Sequence, residues 1–68
     1  MNEDAFNTSV RKFLKDFGVT AQREIEKTVY AAVSSGKLRG NETLKARARL
    51  EIAGLTTELV IEHDITLA

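Results

Sequence analysis

The sequence lacks the residue types on which many active sites depend. It has no cysteine, which excludes disulfides, cysteine-bound zinc and a thiol nucleophile. Its single histidine, His63, leaves too few imidazoles for most other metal sites. It has no proline, and its four glycines lie between periodic segments and mark their ends. We therefore expect no catalytic, cofactor-binding or metal-binding residues, and no enzyme.

Excess charge of one sign and long apolar runs are also missing. Ten basic and ten acidic side chains give a net charge of zero, so nothing global favours nucleic acid or an anionic membrane. No apolar run approaches the length of a membrane span, and Met1–Asp4 is acidic where a signal peptide is basic. With 68 residues, the chain is near the low end of what folds unaided. We expect one cytoplasmic domain, residues 1–68.

Two alternating segments in the second half of the chain predict strands. Residues 43–52 place apolar side chains at every even position and polar ones at every odd position, which is the period of a strand with one dry face. A second alternation covers residues 57–67. The outward charges of the first strand are basic and those of the second are acidic (Lys45, Arg47 and Arg49; Glu58, Glu62 and Asp64). The pattern predicts a β-hairpin with a charged face and a dry face.

The register of this hairpin depends on its turn. If the turn is centred on the Ala-Gly pair between the strands, Arg49 faces Glu58 and Lys45 faces Glu62. Each such cross-strand pair contributes roughly 0.2–1 kcal/mol. A shift of two residues keeps both faces but sets Glu51 against Glu58, a repulsive contact. We therefore prefer the first register.

The first half of the chain predicts two helices, over about residues 3–17 and about residues 20–35. Asn2 and Thr20 are suitable N-caps, and Gly18 and Gly36 are suitable left-handed residues after each helix. Each helix carries one apolar stripe (Phe6, Val10, Phe13, Leu14 and Phe17; Ala21, Ile25, Val29, Ala32 and Val33). The small residues of the second stripe allow close approach, and the phenylalanines of the first can fill the volume opposite them.

These elements predict an α+β fold in which two antiparallel helices pack on one face of the C-terminal hairpin (ααββ). A two-stranded hairpin leaves both edges unpaired, and small domains commonly compensate for a thin core by oligomerising. We therefore expect a homodimer, which could join two hairpins into a four-stranded sheet. A monomer with capped edges is the alternative.

The outward side chains predict an interaction surface rather than an active site. Tyr30 is the one aromatic residue outside the stripes, and a tyrosine with a neighbouring arginine is typical of protein interfaces. The candidate residues, on the second helix and the first strand, are Gln22, Arg23, Glu26, Tyr30, Arg47 and Arg49.

The same residues suit an alternative reading, a weak nucleic-acid-binding protein. The two helices would then form a helix-turn-helix, with the hairpin as a wing. Acidic residues on the second helix, the paired charges of the hairpin and the missing third helix count against it. Nucleic acid is thus an unfavoured partner that the sequence does not exclude.

Two other features resemble reactive sites only superficially. His63 shares the dry face of its strand, whereas Asp64 points to the other face, so the two cannot act as a catalytic pair. Residues 36–41 contain two glycines and two basic residues, like a phosphate-binding loop. A phosphate loop, however, follows a strand and opens a helix, and here a helix ends and a strand begins.

Taken whole, the chain resembles a family of short, uncharacterised bacterial proteins of about this length. The matching stretches are residues 1–7, 10–15, 18–20, 22–27 and 40–42. Such families are domains of unknown function, so the resemblance implies a bacterial, cytosolic origin and no activity. The function that we expect is that of a small interaction or accessory protein, which binds an unknown protein partner through its surface.

Overall fold

A computed structural model describes all residues of the chain, 1–68, and divides them into two units, Met1–Lys37 and Leu38–Ala68. The first unit contains a single helix, α1, over Glu3–Ser34. The second contains two strands, β1 over Thr43–Leu50 and β2 over Leu59–Thr66, which pair as an antiparallel hairpin. The predicted hairpin is confirmed, but the prediction of two helices packed on it is wrong because there is only one helix.

Helix α1 begins and ends where the sequence predicts. The side chain of Asn2 accepts a hydrogen bond from the backbone N–H of Ala5 at 3.0 Å, and Glu3 and Asp4 occupy the first turn. At the other end the backbone N–H of Gly36 donates to the carbonyl of Val33, and Gly36 has φ of +83°. This left-handed conformation favours glycine and stops the helix.

The predicted break at Gly18 does not occur. Gly36, Gly40 and Gly54 have positive φ, whereas Gly18 lies inside α1 with ordinary helical geometry. A glycine in a helix interior costs about 1 kcal/mol relative to alanine, which the flanking turns of a long helix can absorb. Thr20, which was predicted to cap a second helix, is likewise an interior residue of α1.

The preferred register is wrong, because the hairpin adopts the alternative that is shifted by two residues. Arg47 faces Glu62 and Lys45 faces Asp64, instead of Arg49 facing Glu58. On the dry face, this register pairs Leu50 with Leu59 and Leu44 with Ile65, so large apolar side chains meet at both ends of the ladder. These apolar pairs explain the register better than the ion pairs do, because basic and acidic side chains face one another in both registers.

The repulsive contact expected between Glu51 and Glu58 does not form, because the ladder ends at the pair of Leu50 and Leu59. Both residues lie in the loop between the strands. Within that loop Ala53 and Gly54 are the central turn residues, as predicted, and Gly54 has φ of +83°. The hydroxyl of Thr57 donates to the carbonyl of Leu50 at 2.9 Å and closes the base of the loop.

Candidate interaction surface

Helix α1 carries a continuous apolar surface from its first turns to its last. Its apolar side chains recur at intervals of three and four residues on both sides of Gly18, and the surface turns by about 160° around the helix from Phe17 to Val33, at 100° per residue. We call this surface the apolar stripe. It comprises Phe6, Val10, Phe13, Leu14, Phe17, Ala21, Ile25, Val29, Ala32 and Val33.

The N-terminal half of the apolar stripe is exposed. Phe13, Leu14 and Phe17 expose 54%, 56% and 52% of their surface, and no residue of α1 is buried. The rings of Phe13 and Phe17 stack with their centroids 6.3 Å apart and their planes 25° apart. Exposed apolar side chains that adjoin one another in this way form a patch, and large patches, unlike scattered apolar residues, mark interaction sites.

The C-terminal half of the apolar stripe is narrower and made of smaller side chains. Ala21, Val29 and Ala32 are half-buried by their neighbours, and Ile25 is 40% exposed. A helix with small residues on its apolar face allows another helix to approach closely. The two halves of the stripe therefore differ in volume, as the sequence predicted for two separate helices.

Three of the predicted surface residues follow the edge of the apolar stripe. Gln22, Glu26 and Tyr30 are spaced four residues apart, so they form one row along α1 beside Val29 and Val33. The side-chain amide of Gln22 lies 3.4 Å from a carboxylate oxygen of Glu26, and Tyr30 is 68% exposed. This row supplies a polar rim to an apolar surface.

The other predicted residues do not form one group. Arg23 is exposed on α1, turned further from the apolar stripe than Gln22. On the hairpin, the guanidinium of Arg47 donates to the Glu62 carboxylate at 2.6 Å, in the single ion pair of the molecule. Arg49 faces Val60 and has no acidic partner. The six candidates thus belong to two units of the chain, four on α1 and two on β1.

The loop between α1 and β1 contains an anion site that the protein fills itself. The carboxylate of Glu42 accepts hydrogen bonds from the backbone N–H groups of Arg39, Gly40 and Asn41 at 2.8, 2.9 and 3.2 Å. The N–H of Arg39, and then that of Gly40, lowers the pKa of Glu42, since these donors stabilise the charged carboxylate. Gly40 has φ of +99°, which lets consecutive N–H groups converge on one anion.

No group of three or more histidine and acidic side chains is placed to hold a metal ion. His63 lies on the dry face opposite Ala46, as predicted from its parity, and is exposed. A depression on α1, lined by Lys12, Lys15, Asp16 and Val19, is open to solvent and formed by one helix. α1 is also too polar to cross a membrane.

The sequence matches one protein family along its whole length. The family is described as "Family of unknown function (DUF6494)", and the match covers residues 1–68. The chain belongs to this family. No curated protein and no solved structure matches this DUF6494 chain. The family resemblance expected from the sequence is therefore confirmed, and it assigns no activity.

Proposed function

We propose that this protein is a small non-enzymatic interaction protein whose binding surface is the apolar stripe of α1. The observation that carries the proposal is the half-exposed state of the stripe's large side chains, Phe6, Phe13, Leu14 and Phe17. Covering apolar surface contributes about 25 cal/mol per Å² of area removed from water. A contiguous exposed patch of this kind marks a binding site in a soluble protein.

The composition of this surface suits a protein partner. Interfaces combine an apolar, aromatic centre with a polar rim, and α1 offers the apolar stripe beside the row of Gln22, Glu26 and Tyr30. A helix with apolar residues at these spacings binds in the groove of another protein or along another helix. Three of the four predicted residues on α1, Gln22, Glu26 and Tyr30, thus take part as the rim, and the stripe supplies the centre.

The alternative of a helix-turn-helix protein is withdrawn. The turn that it needs would lie at residues 18–20, which are helical in the structure. Equal numbers of basic and acidic side chains also remove the counterion-release term that gives non-specific affinity for nucleic acid. A protein partner is therefore the partner that we propose.

The proposal also includes the localisation, the absence of catalysis and the oligomeric state that we expect from the sequence. We place the protein in the bacterial cytoplasm and expect it to act without catalysing a reaction. The homodimer expected from the sequence is retained, with α1 rather than a sheet edge as its contact.

The proposal is tested by photo-crosslinking in the cells that produce the protein. A benzophenone side chain is placed at Phe17 on the apolar stripe, and in a matched variant at Lys12, which lies on the opposite face of α1. We expect protein adducts from position 17 and few from position 12. Equal labelling at the two positions, or no adduct from position 17, would contradict the proposal.

A further inference from the structure

The two halves of the apolar stripe are complementary in volume, yet they cannot meet within one chain. The N-terminal half presents large side chains, Phe13, Leu14 and Phe17, and the C-terminal half presents small ones, Ala21 and Ala32. An αα-hairpin would bring these halves together. The continuous helix instead holds them apart along an axis about 48 Å long, at 1.5 Å per residue.

We infer that the occupant of the apolar stripe is the stripe of a second copy of this chain, running antiparallel. This inference rests on the proposed function, because it names the partner of the same surface. In such a pair, the large half of each helix lies against the small half of the other. The contacts are those of a helical hairpin, exchanged between two chains as in a domain swap.

The positions along the stripe define one register for this pair. If the two-fold axis passes between Phe17 and Gly18, then Leu14 of one copy lies level with Ala21 of the other, and Val10 lies level with Ile25. Leu14 against Ala21 is a large side chain against a small one, and Phe6 lies level with Val29, whereas Phe13 lies level with the polar Gln22. At the centre Phe17 of each copy lies level with Gly18 of the other, where no Cβ takes up the space that the ring needs, and the two Gly18 residues lie one residue apart along the axis.

The period of the stripe keeps the two helices in contact beyond the centre. Leu14 and Ile25 are eleven residues apart, as are Val10 and Ala21, and Ala21 and Ala32. An eleven-residue repeat, at about 3.67 residues per turn, produces a gentle right-handed supercoil rather than a single crossing point. The paired levels therefore extend through most of α1.

Charge does not select the direction of the pair, because the basic and acidic side chains balance in each half of α1. Volume selects it, since a parallel pair would set the large half of one helix against the large half of the other.

The stripe also offers enough apolar area for a specific contact. Its three phenylalanines are each a little over half exposed, which is roughly 300 Å² in all, at about 200 Å² for each residue. A standard interface buries about 800 Å² on each partner. Val10, Leu14, Ile25 and Val33, which are 39–56% exposed, add to the aromatic area, so the stripe approaches the size of a small specific interface.

Cysteine cross-linking tests the arrangement, and the natural sequence contributes no thiol. Under mild oxidation, the single variant Gly18→Cys should form a disulfide-linked dimer. Val10→Cys and Ile25→Cys should each stay mostly unlinked alone and should link to each other in an equimolar mixture. Self-linking of Val10→Cys, with no link in the mixture, would indicate a parallel pair and overturn the inference.

Sedimentation of the purified chain provides a readout that does not need cysteine. Leu14→Lys puts a charge at the centre of the stripe and should weaken the dimer about 100-fold or more, because an unpaired ammonium is costly to bury. Lys12→Glu, on the opposite face, should leave it unchanged. Circular dichroism at low temperature, with the natural chain measured at the same high dilution, checks that neither variant loses more helix than dissociation removes.

The outcomes separate this inference from the proposed function. If the purified protein is monomeric and position 17 captures a different protein in cells, the second copy is excluded and the interaction role stands. If position 17 captures nothing and the purified chain is monomeric, both fail. A photo-adduct with twice the mass of the chain, together with the mixed disulfide, supports both.

Discussion

The carboxylate of Glu42 accepts hydrogen bonds from the backbone N–H groups of the three residues that precede it. Arg39, Gly40 and Asn41 would otherwise have to find water or a ligand for these donors, since the chain here leaves a helix and has not yet joined the sheet. The glycine-rich loop that resembles a phosphate cradle is thus complete without phosphate. A side chain of the same loop occupies the place where an anion would bind.

The order of this loop should depend on pH through Glu42. The hydrogen bonds lower the pKa of Glu42 in the folded chain below its ordinary value of 4.5. The charged carboxylate therefore stabilises the folded loop at pH values above 4.5. That contribution is lost as the pH falls below 4.5 and through the lowered pKa. We expect the amide signals of Arg39 and Gly40 to move towards random-coil positions in an NMR titration from about pH 6 to about pH 3.

Replacement of the carboxylate provides the matched experiment. Glu42→Gln should give disordered amide signals at Arg39 and Gly40 at neutral pH, and no further change on acidification. Glu51→Gln, at an exposed loop carboxylate without a hydrogen bond to the backbone, should behave like the natural chain. An unchanged loop in Glu42→Gln would show that the carboxylate does not hold it.

The ion pair between Arg47 and Glu62 should matter little in spite of its short distance. Both side chains are exposed, at 63% and 41%, and solvent and salt screen pairs of this kind. A double-mutant cycle with Arg47→Ala and Glu62→Ala should give a coupling free energy of about 1 kcal/mol or less. A coupling above about 2 kcal/mol would mean that the pair is shielded in the functional assembly.

At the scale of the element, the direction in which Gly18→Ala changes the stability of the helix tests whether α1 is continuous. Gly18 is helical and nothing lies within 4 Å of the position where a Cβ would stand. Gly18→Ala should therefore stabilise the helix in dilute protein by about 1 kcal/mol, measured by thermal denaturation with circular dichroism. A helix that ended at Gly18 in the left-handed conformation would instead be destabilised.

Gly36 supplies the control because it has the conformation that was expected of Gly18. With φ of +83°, it carries a strain penalty for any residue with a Cβ. Gly36→Ala should cost about 1–2 kcal/mol, although the space around it is as open as that around Gly18. The two alanine variants should move the melting temperature in opposite directions.

Local patterns placed the ends of the helical region and of both strands within two residues of those observed, whereas the helix end at Gly18 and the helix start at Thr20 were wrong. Alternation located both strands, and Asn2 and Gly36 located the ends of the helical region, because each signal depends on a few neighbouring residues. Whether Gly18 ends a helix depends on a small energy difference between two permitted conformations. The spacing of Leu14, Phe17 and Ala21 is that of one uninterrupted helix. The prediction instead assigned Leu14 and Phe17 to a first helix and Ala21 to a second.

The candidate surface was predicted in part for the same reason. Gln22, Glu26 and Tyr30 were found because exposed polar and aromatic residues can be read from the helical period. The apolar stripe was assigned to the core, since two helices laid on a hairpin would have covered it. Only the count of helices decides whether Phe13 and Phe17 form a core or a binding surface.

At the scale of the whole molecule, neither unit has an interior. No residue of α1 is buried, and in the hairpin only some side chains, such as Leu44 and Ile65, are half-buried. An isolated helix is held mainly by its own hydrogen bonds, and a two-stranded hairpin alone is marginally stable in water. In the proposed assembly, association supplies the burial that stabilises other small domains.

The stability of the helix should consequently depend on protein concentration. If two copies pair through the apolar stripe, each tenfold dilution removes about 1.4 kcal/mol from the association term, so the melting temperature should fall on dilution. Leu14→Lys should melt at one low temperature at every concentration, while Lys12→Glu should follow the natural chain. A natural chain whose melting temperature is high and independent of concentration would show that α1 needs no second copy, and that its apolar stripe is stable while exposed.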